Sequence, residues 1–168
     1  MKFTRSMLVL AMSGATLVGG DSLVVAATAA ANLPVAVSVS ANCTITTTAV
    51  SFVATYDPVS THATNPDDGT GTVTVTCTKG AGTTIDLSLG ANASGTQPRM
   101  KGPGASDYLN YTLYSDANRS TVWSGASLTV GAAPSKAARP YTVYARIPGG
   151  QDIATGNYND TVVATVNF

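Results

Sequence analysis

Ala29-Ala-Ala-Asn-Leu-Pro-Val-Ala-Val-Ser-Val-Ser-Ala-Asn-Cys-Thr-Ile45 is the stretch on which the fold turns. Its alternation never slips. Ala29, Ala31, Leu33, Val35, Val37, Val39, Ala41, Cys43 and Ile45 fall on one side, and Ala30, Asn32, Pro34, Ala36, Ser38, Ser40, Asn42 and Thr44 on the other. A period of two is the signature of an extended strand, because successive side chains point to opposite faces. Seventeen residues at the rise of a strand would span about 55 Å, against five or six residues in an ordinary strand. A single sandwich cannot cover such a length. The chain either bends into two strands, or part of it projects and finds its partner elsewhere.

The same period recurs downstream. Gly71–Cys77 carries Val73, Val75 and Cys77 on one face, and Thr83–Gly90 places Ile85, Leu87 and Leu89 inward. Tyr141–Ile147 groups Tyr141, Val143, Ala145 and Ile147. The last run, Asn159–Phe168, sets Val162, Ala164, Val166 and Phe168 against Thr161, Thr165 and Asn167. Shorter strands are expected at Ala49–Tyr56, Tyr108–Ser115 and Thr121–Trp123. Turn-forming stretches separate these runs, among them Asp57-Pro58, Asn65-Pro-Asp-Asp-Gly69, Lys101-Gly-Pro-Gly104 and Ile147-Pro-Gly-Gly150. Short strands with such punctuation and no sustained helical period predict an all-β antiparallel sandwich. Tyr158 in Gly156-Asn-Tyr-Asn-Asp160 is either a corner tyrosine bonding back to the backbone or a half-exposed strand tyrosine. The sequence stops inside an apolar strand at Phe168. A surplus strand at one end and this stop at the other are the pattern of strand exchange between subunits.

Composition agrees. Of 168 residues, nine are Lys or Arg and nine are acidic, every one of them Asp. Charged residues make up 11%, well under the roughly 25% of ordinary soluble domains. Zero formal net charge argues against nucleic acid or an anionic membrane as the main partner, since either would call for a basic face. One His and two Cys leave little for metal or acid–base chemistry, so no metal, cofactor or catalytic residue is assigned and the chain is not read as an enzyme. Asn65–Gly69 lacks the spacing of a calcium loop and reads as a solvated turn. His62 reads as an exposed loop residue, and Trp123 as a core or edge aromatic.

Residues 1–26 have the form of a secretory signal: Lys2 and Arg5, then a short apolar stretch from Met7 to Val18, then small residues with cleavage near Ala26/Ala27. Export makes the cysteines legible. Cys43 and Cys77 are the only thiols, and in an oxidising compartment an even count predicts a disulfide.

Three segments carry a resemblance. Ser40-Ala-Asn-Cys-Thr-Ile45, Tyr111-Thr-Leu-Tyr-Ser-Asp-Ala-Asn-Arg119 and Gly156-Asn-Tyr-Asn-Asp-Thr-Val-Val-Ala-Thr-Val-Asn-Phe168 resemble the spore coat protein U domain, a family that includes the pilus subunits of archaic chaperone–usher systems in Gram-negative bacteria. The resemblance implies an incomplete immunoglobulin-like β-sandwich over 42–168 that lacks its last strand, preceded by a donor segment at 27–41. It implies Leu33, Val35, Val37 and Val39 as donor-strand side chains, with Val162, Ala164, Val166 and Phe168 on the wall of an acceptor groove. The implied partners are further copies or sibling subunits, a periplasmic chaperone and an outer-membrane usher, with passage through the periplasm to a surface fibre or coat. A spore-coat protein of the same family and a monomeric carbohydrate-binding or adhesin module are the alternatives.

Overall fold

The computed structural model describes residues 26–52 and 55–168, so the expected signal segment lies almost wholly outside the described residues. Nine strands and no helix occur among them: β1 Cys43–Phe52, β2 Asp67–Cys77, β3 Gly82–Leu87, β4 Arg99–Lys101, β5 Tyr108–Asn110, β6 Thr112–Tyr114, β7 Ser127–Ala132, β8 Arg139–Ile147 and β9 Ala164–Asn167. One sheet has the order β1-β2-β8-β6 and a second β7-β3-β9, while β4 and β5 form a separate hairpin. Every ladder is antiparallel. The immunoglobulin-like sandwich expected from the sequence is the fold.

The core forms from the faces that the alternation marked. Val73, Val75 and Cys77 of β2, Ile85 and Leu87 of β3, and Val143, Ala145 and Ile147 of β8 are buried. Thr72, Thr74 and Thr76 stay on the outer face of β2, where β-branched side chains suit a half-solvated sheet. Trp123 is buried in the core, and its indole N–H donates to the Ile85 carbonyl at 3.0 Å. That bond satisfies the one polar atom its burial would otherwise strand.

Several expectations change. Of the two ways the long alternating stretch could run, the chain does not bend into two strands: residues 26–42 have no strand and are exposed, and pairing begins only at Cys43. From there β1 runs on to Phe52, with a register shift between Thr48 and Ser51. The extra residue turns the alternation over, so Cys43 and Ile45 pack inward before the shift and Val50 and Phe52 after it. The first part of the strand expected at Ala49–Tyr56, residues 49–52, therefore belongs to β1, while residues 53–54 lie outside the described residues. Tyr108–Ser115 divides at Tyr111 into β5, which pairs with β4, and β6, which pairs with β8. Thr121–Trp123 supplies only the isolated bridge Tyr114↔Val122. The last run is in regular ladder only over β9, since its earlier half bonds to the irregular turn at Ser88 and Ala91. The strands β4 and β7 had no counterpart in the sequence reading.

Two loop assignments are also corrected. Asn65–Gly69 is no solvated turn, because Asp67 opens β2 and is buried. Asp68 meets Arg146 through two bonds of 2.7 and 2.8 Å, with Arg119 at 3.1 Å. His62 is buried rather than exposed, stacked on the Tyr56 ring at a centroid distance of 5.0 Å. The backbone of the Asp57 turn closes over it, with the His62 N–H donating to the Asp57 carbonyl at 2.8 Å.

Candidate functional site: the groove between β1 and β9

Both sheets end on the same opening. Among the described residues β1 is the edge of one sheet and pairs only with β2, and β9 is the edge of the other and pairs only with β3. Between them lies a groove of about 480 Å³. Its β1 wall presents Thr47, Thr48, Val50 and Phe52; its other wall presents Val162 and Ala164. The floor is the core itself, through Val73, Leu87, Leu113 and Val143, with Met100 and Tyr111 beside it. An edge strand offers a row of unpaired N–H and C=O groups. Here two such edges flank apolar side chains, the chemistry that accepts an extended strand with alternate apolar residues.

The β1 wall owes its shape to two glycines opposite it. At Gly69 a Cβ would lie 2.7 Å from the Ser51 carbonyl and 2.8 Å from the Phe52 ring, and at Gly71 it would lie 3.0 Å from Val50 Cγ2. Without side chains at these inward positions of β2, Val50 and Phe52 fold inward over the sheet. Phe52, Gly69, Ala145 and Leu113 then form one row across all four strands.

One end of the groove is polar and fully bonded. The Asp160 carboxylate accepts from the Tyr111 hydroxyl at 2.7 Å, the Ala91 N–H at 2.9 Å, the Asn92 N–H at 3.2 Å and the Asn92 side-chain amide at 2.9 Å. Burial, together with the bond to this carboxylate, pushes the Tyr111 phenol well above its ordinary pKa, so it stays a donor at any physiological pH. Gly90, with φ of +91°, passes so near that a Cβ would collide with Asp160 Oδ2. Next to it, Asn159 and Lys101 exchange two backbone bonds of 2.8 and 3.0 Å. The Tyr158 hydroxyl donates to the Ala154 carbonyl at 2.9 Å, which is the corner-tyrosine arrangement of immunoglobulin-like sandwiches. These bonds hold the wall leading into β9 although no strand among the described residues lies on its outer side.

The structure sorts the residues singled out in the sequence. Cys43 and Cys77 stand opposite each other in the β1–β2 ladder and are joined by a disulfide. Val162 and Ala164 line the groove, whereas Val166 packs on the core opposite Ile85. Phe168 is 57% exposed and lies outside the groove lining. Leu33, Val35, Val37 and Val39 are 78–90% exposed. Sequence reasoning missed the β1 wall, Met100 and the Asp160–Tyr111 pair. Gly69-Thr-Gly71 was the available signal for the first, since glycine inside a strand marks close approach of another element.

Comparison with known proteins follows the same lines. The Spore Coat Protein U domain model matches residues 29–165. The chain belongs to that family. Protein U of Myxococcus xanthus is 36% identical to it over 161 residues, covering 85% of this chain and 87% of the relative. Among solved structures, a chain in the CsuC–CsuE chaperone–tip adhesion subunit pre-assembly complex, from the archaic chaperone-usher Csu pili of Acinetobacter baumannii, superposes with a TM-score of 0.53 at 20% identity. The match covers 76% of this chain and only 40% of that one, and what it shows is the shared fold. As a member of the Spore Coat Protein U domain family the chain is a structural protein and not an enzyme.

Proposed function

We propose that this Spore Coat Protein U domain is an exported structural subunit that polymerises by donor-strand exchange. Leu33, Val35, Val37 and Val39 of one copy enter the groove of the next and lie between its β1 and β9 edges. The observation that carries this reading is a complementary pair within one chain: an alternating apolar segment that is exposed, and an apolar groove bounded by two unpaired edges. The dimensions agree. Four side chains at every second residue extend over about 20 Å, close to the length of β1 from Ile45 to Phe52. Pro34 has no N–H to give, and it sits where the donor would begin. Val162 and Ala164 act as the groove wall, Val166 fixes β9 on the core, and Phe168 closes the run.

Burying the three valines contributes about 1.5–3 kcal/mol each before ordering costs, and main-chain bonds to both edges add to this. The disulfide supports an oxidising compartment, consistent with removal of residues 1–26 on export through the periplasm. Until a second copy arrives, a periplasmic chaperone would cover the groove, and an outer-membrane usher would carry out the exchange. The product is a surface fibre or, as the family description favours, a coat layer built by the same exchange.

The test compares Val37→Asp with Ser38→Asp. Fibre or coat yield and binding of a 29–41 peptide to a chain beginning at Asn42 should be lost with the first, whose charge would be buried unpaired, and kept with the second. Equal behaviour of the two would overturn both the donor assignment and its register.

A further inference from the structure

A donor segment must connect to its own domain, and the connection here is unusually short and tied down. Only Ser40, Ala41 and Asn42 separate Val39 from Cys43. The Thr78 N–H donates to the Asn42 carbonyl at 2.9 Å, and the Asn42 N–H donates back to the Thr78 hydroxyl at 3.2 Å. That hydroxyl also lies 3.4 Å from the carbonyls of Ser40 and Asn42. One step further on, the disulfide joins Cys43 to Cys77. The post itself is fixed, because Ala81 N–H bonds to the Thr78 carbonyl at 3.1 Å and Gly80 N–H to the Ala133 carbonyl at 2.8 Å. The β1–β2 ladder thus runs one pair beyond its last assigned strand residues.

We infer that successive copies are joined by a short, stiff coupling, in which Thr78 grips Ser40 and Asn42 and the Cys77–Gly80 turn meets the neighbouring copy. This rests on the donor-strand reading above. From Val39, seated in one copy's groove, to Cys43 of the next is four residue steps, at most about 13 Å. Flexible couplings use several Gly or Ser residues. This joint has no glycine, and Thr78 restrains two of its three residues. Two sandwiches held that close must touch, and the chain leaves the Thr78 turn at the point of contact. Exposed Lys79, at the tip of that turn, faces the second copy.

Two variants test the joint without touching the donor side chains. Insertion of Gly-Gly between Ala41 and Asn42 keeps the phase of the odd positions but frees the coupling. Thr78→Val removes the hydroxyl and keeps the backbone bond. In electron micrographs of fibres sheared from producing cells, the insertion should lower the persistence length at least about threefold and Thr78→Val by a smaller factor, with fibre yield near wild type. Insertion fibres as stiff as wild type would overturn the coupling. Amide exchange on the full chain gives a second readout, with the Asn42 N–H exchanging more slowly than the Val37 N–H of the unassembled subunit and losing that protection in Thr78→Val. Equal exchange of the two amides in wild type would remove the grip. Failure of the donor-strand reading shows elsewhere, as fibres that form equally in Val37→Asp and Ser38→Asp.

Discussion

Residues 29–41 and residues 159–168 carry the same pattern, small or β-branched apolar side chains at every second position, and they end in opposite situations. The second run leans on β3 and the core through Val162, Ala164 and Val166, while the first is exposed on both its faces. Alternation therefore encodes which side chains share a face, and says nothing about whether a partner exists in the same chain. The late run has β3 beside it, whose Ile85 and Leu87 complement it. No ladder partner for the early run exists among the described residues. In the proposed exchange its complement is the groove of another copy, which the late run helps to form.

The sharpest way to break this comparison is to charge one face of each run. Val37→Asp should reduce affinity for the groove by at least about 100-fold, since an unpaired buried charge costs several kcal/mol. On the wall side, Val162→Asp should do the same, while Val163→Asp, at a position already 59% exposed, should leave 29–41 peptide binding within about twofold. Titration calorimetry of the peptide against each variant reads both pairs, and a loss with Val163→Asp would mean that the groove face is misassigned.

Next in size are the bonds that hold the wall. Asp160→Ala strands the Asn92 backbone N–H and the Tyr111 hydroxyl and takes an acceptor from the Asn92 side-chain amide, while the Ala91 N–H keeps the Thr161 carbonyl, and should lower stability by about 2–4 kcal/mol, read as a fall in denaturant midpoint. Asp160→Asn, which keeps one acceptor, should lose less. Replacing Cys43 and Cys77 together by Ser should cost about 2–4 kcal/mol for the loop they close, and non-reducing mass spectrometry of the exported chain should find the two in one cross-linked peptide pair.

The smallest effect belongs to the outer face of the first sheet. The bond to Arg146, helped by the charges of Arg119 and Arg146, holds the Asp68 carboxyl below the usual carboxylate range. A depressed pKa contributes stability that is present above the ordinary carboxylate value and is lost as pH falls through the lowered one. Asp68→Asn should therefore be slightly less stable than wild type at neutral pH, with the gap closing in acid. A gap that widens in acid would contradict the pairing. Being partly solvated, the pair carries only a modest effect.

Much of this was legible beforehand. Inward faces of β2, β3 and β8 follow from alternation, because burial on one side of a sheet selects every second residue whatever the topology. The disulfide followed from the cysteine count and the expected export. The family resemblance pointed to Val162 and Ala164, which line the groove, but not to Val50 and Phe52. A bulge at Thr48–Ser51 reverses the phase there, and a bulge is a property of the pairing with β2 rather than of β1 alone. His62 looked like a loop residue because its neighbours are polar. Its burial comes from Tyr56, which stacks on it while bonding to the Pro148 carbonyl far along the chain.

By itself the sequence determined that the chain is all-β, that 29–45 holds more strand pattern than one sandwich can use, and that two cysteines would pair. These are local or compositional properties, set by side-chain period and residue type. Only the tertiary structure decided that pairing starts at Cys43, that β1 and β9 face each other across an open groove, and that Asp160 closes one end of it. Each of these depends on contacts between residues distant in the chain, such as Asp160 with Tyr111 and Phe52 with Gly69. The period of a strand carries no information about which distant edge will be left unpaired.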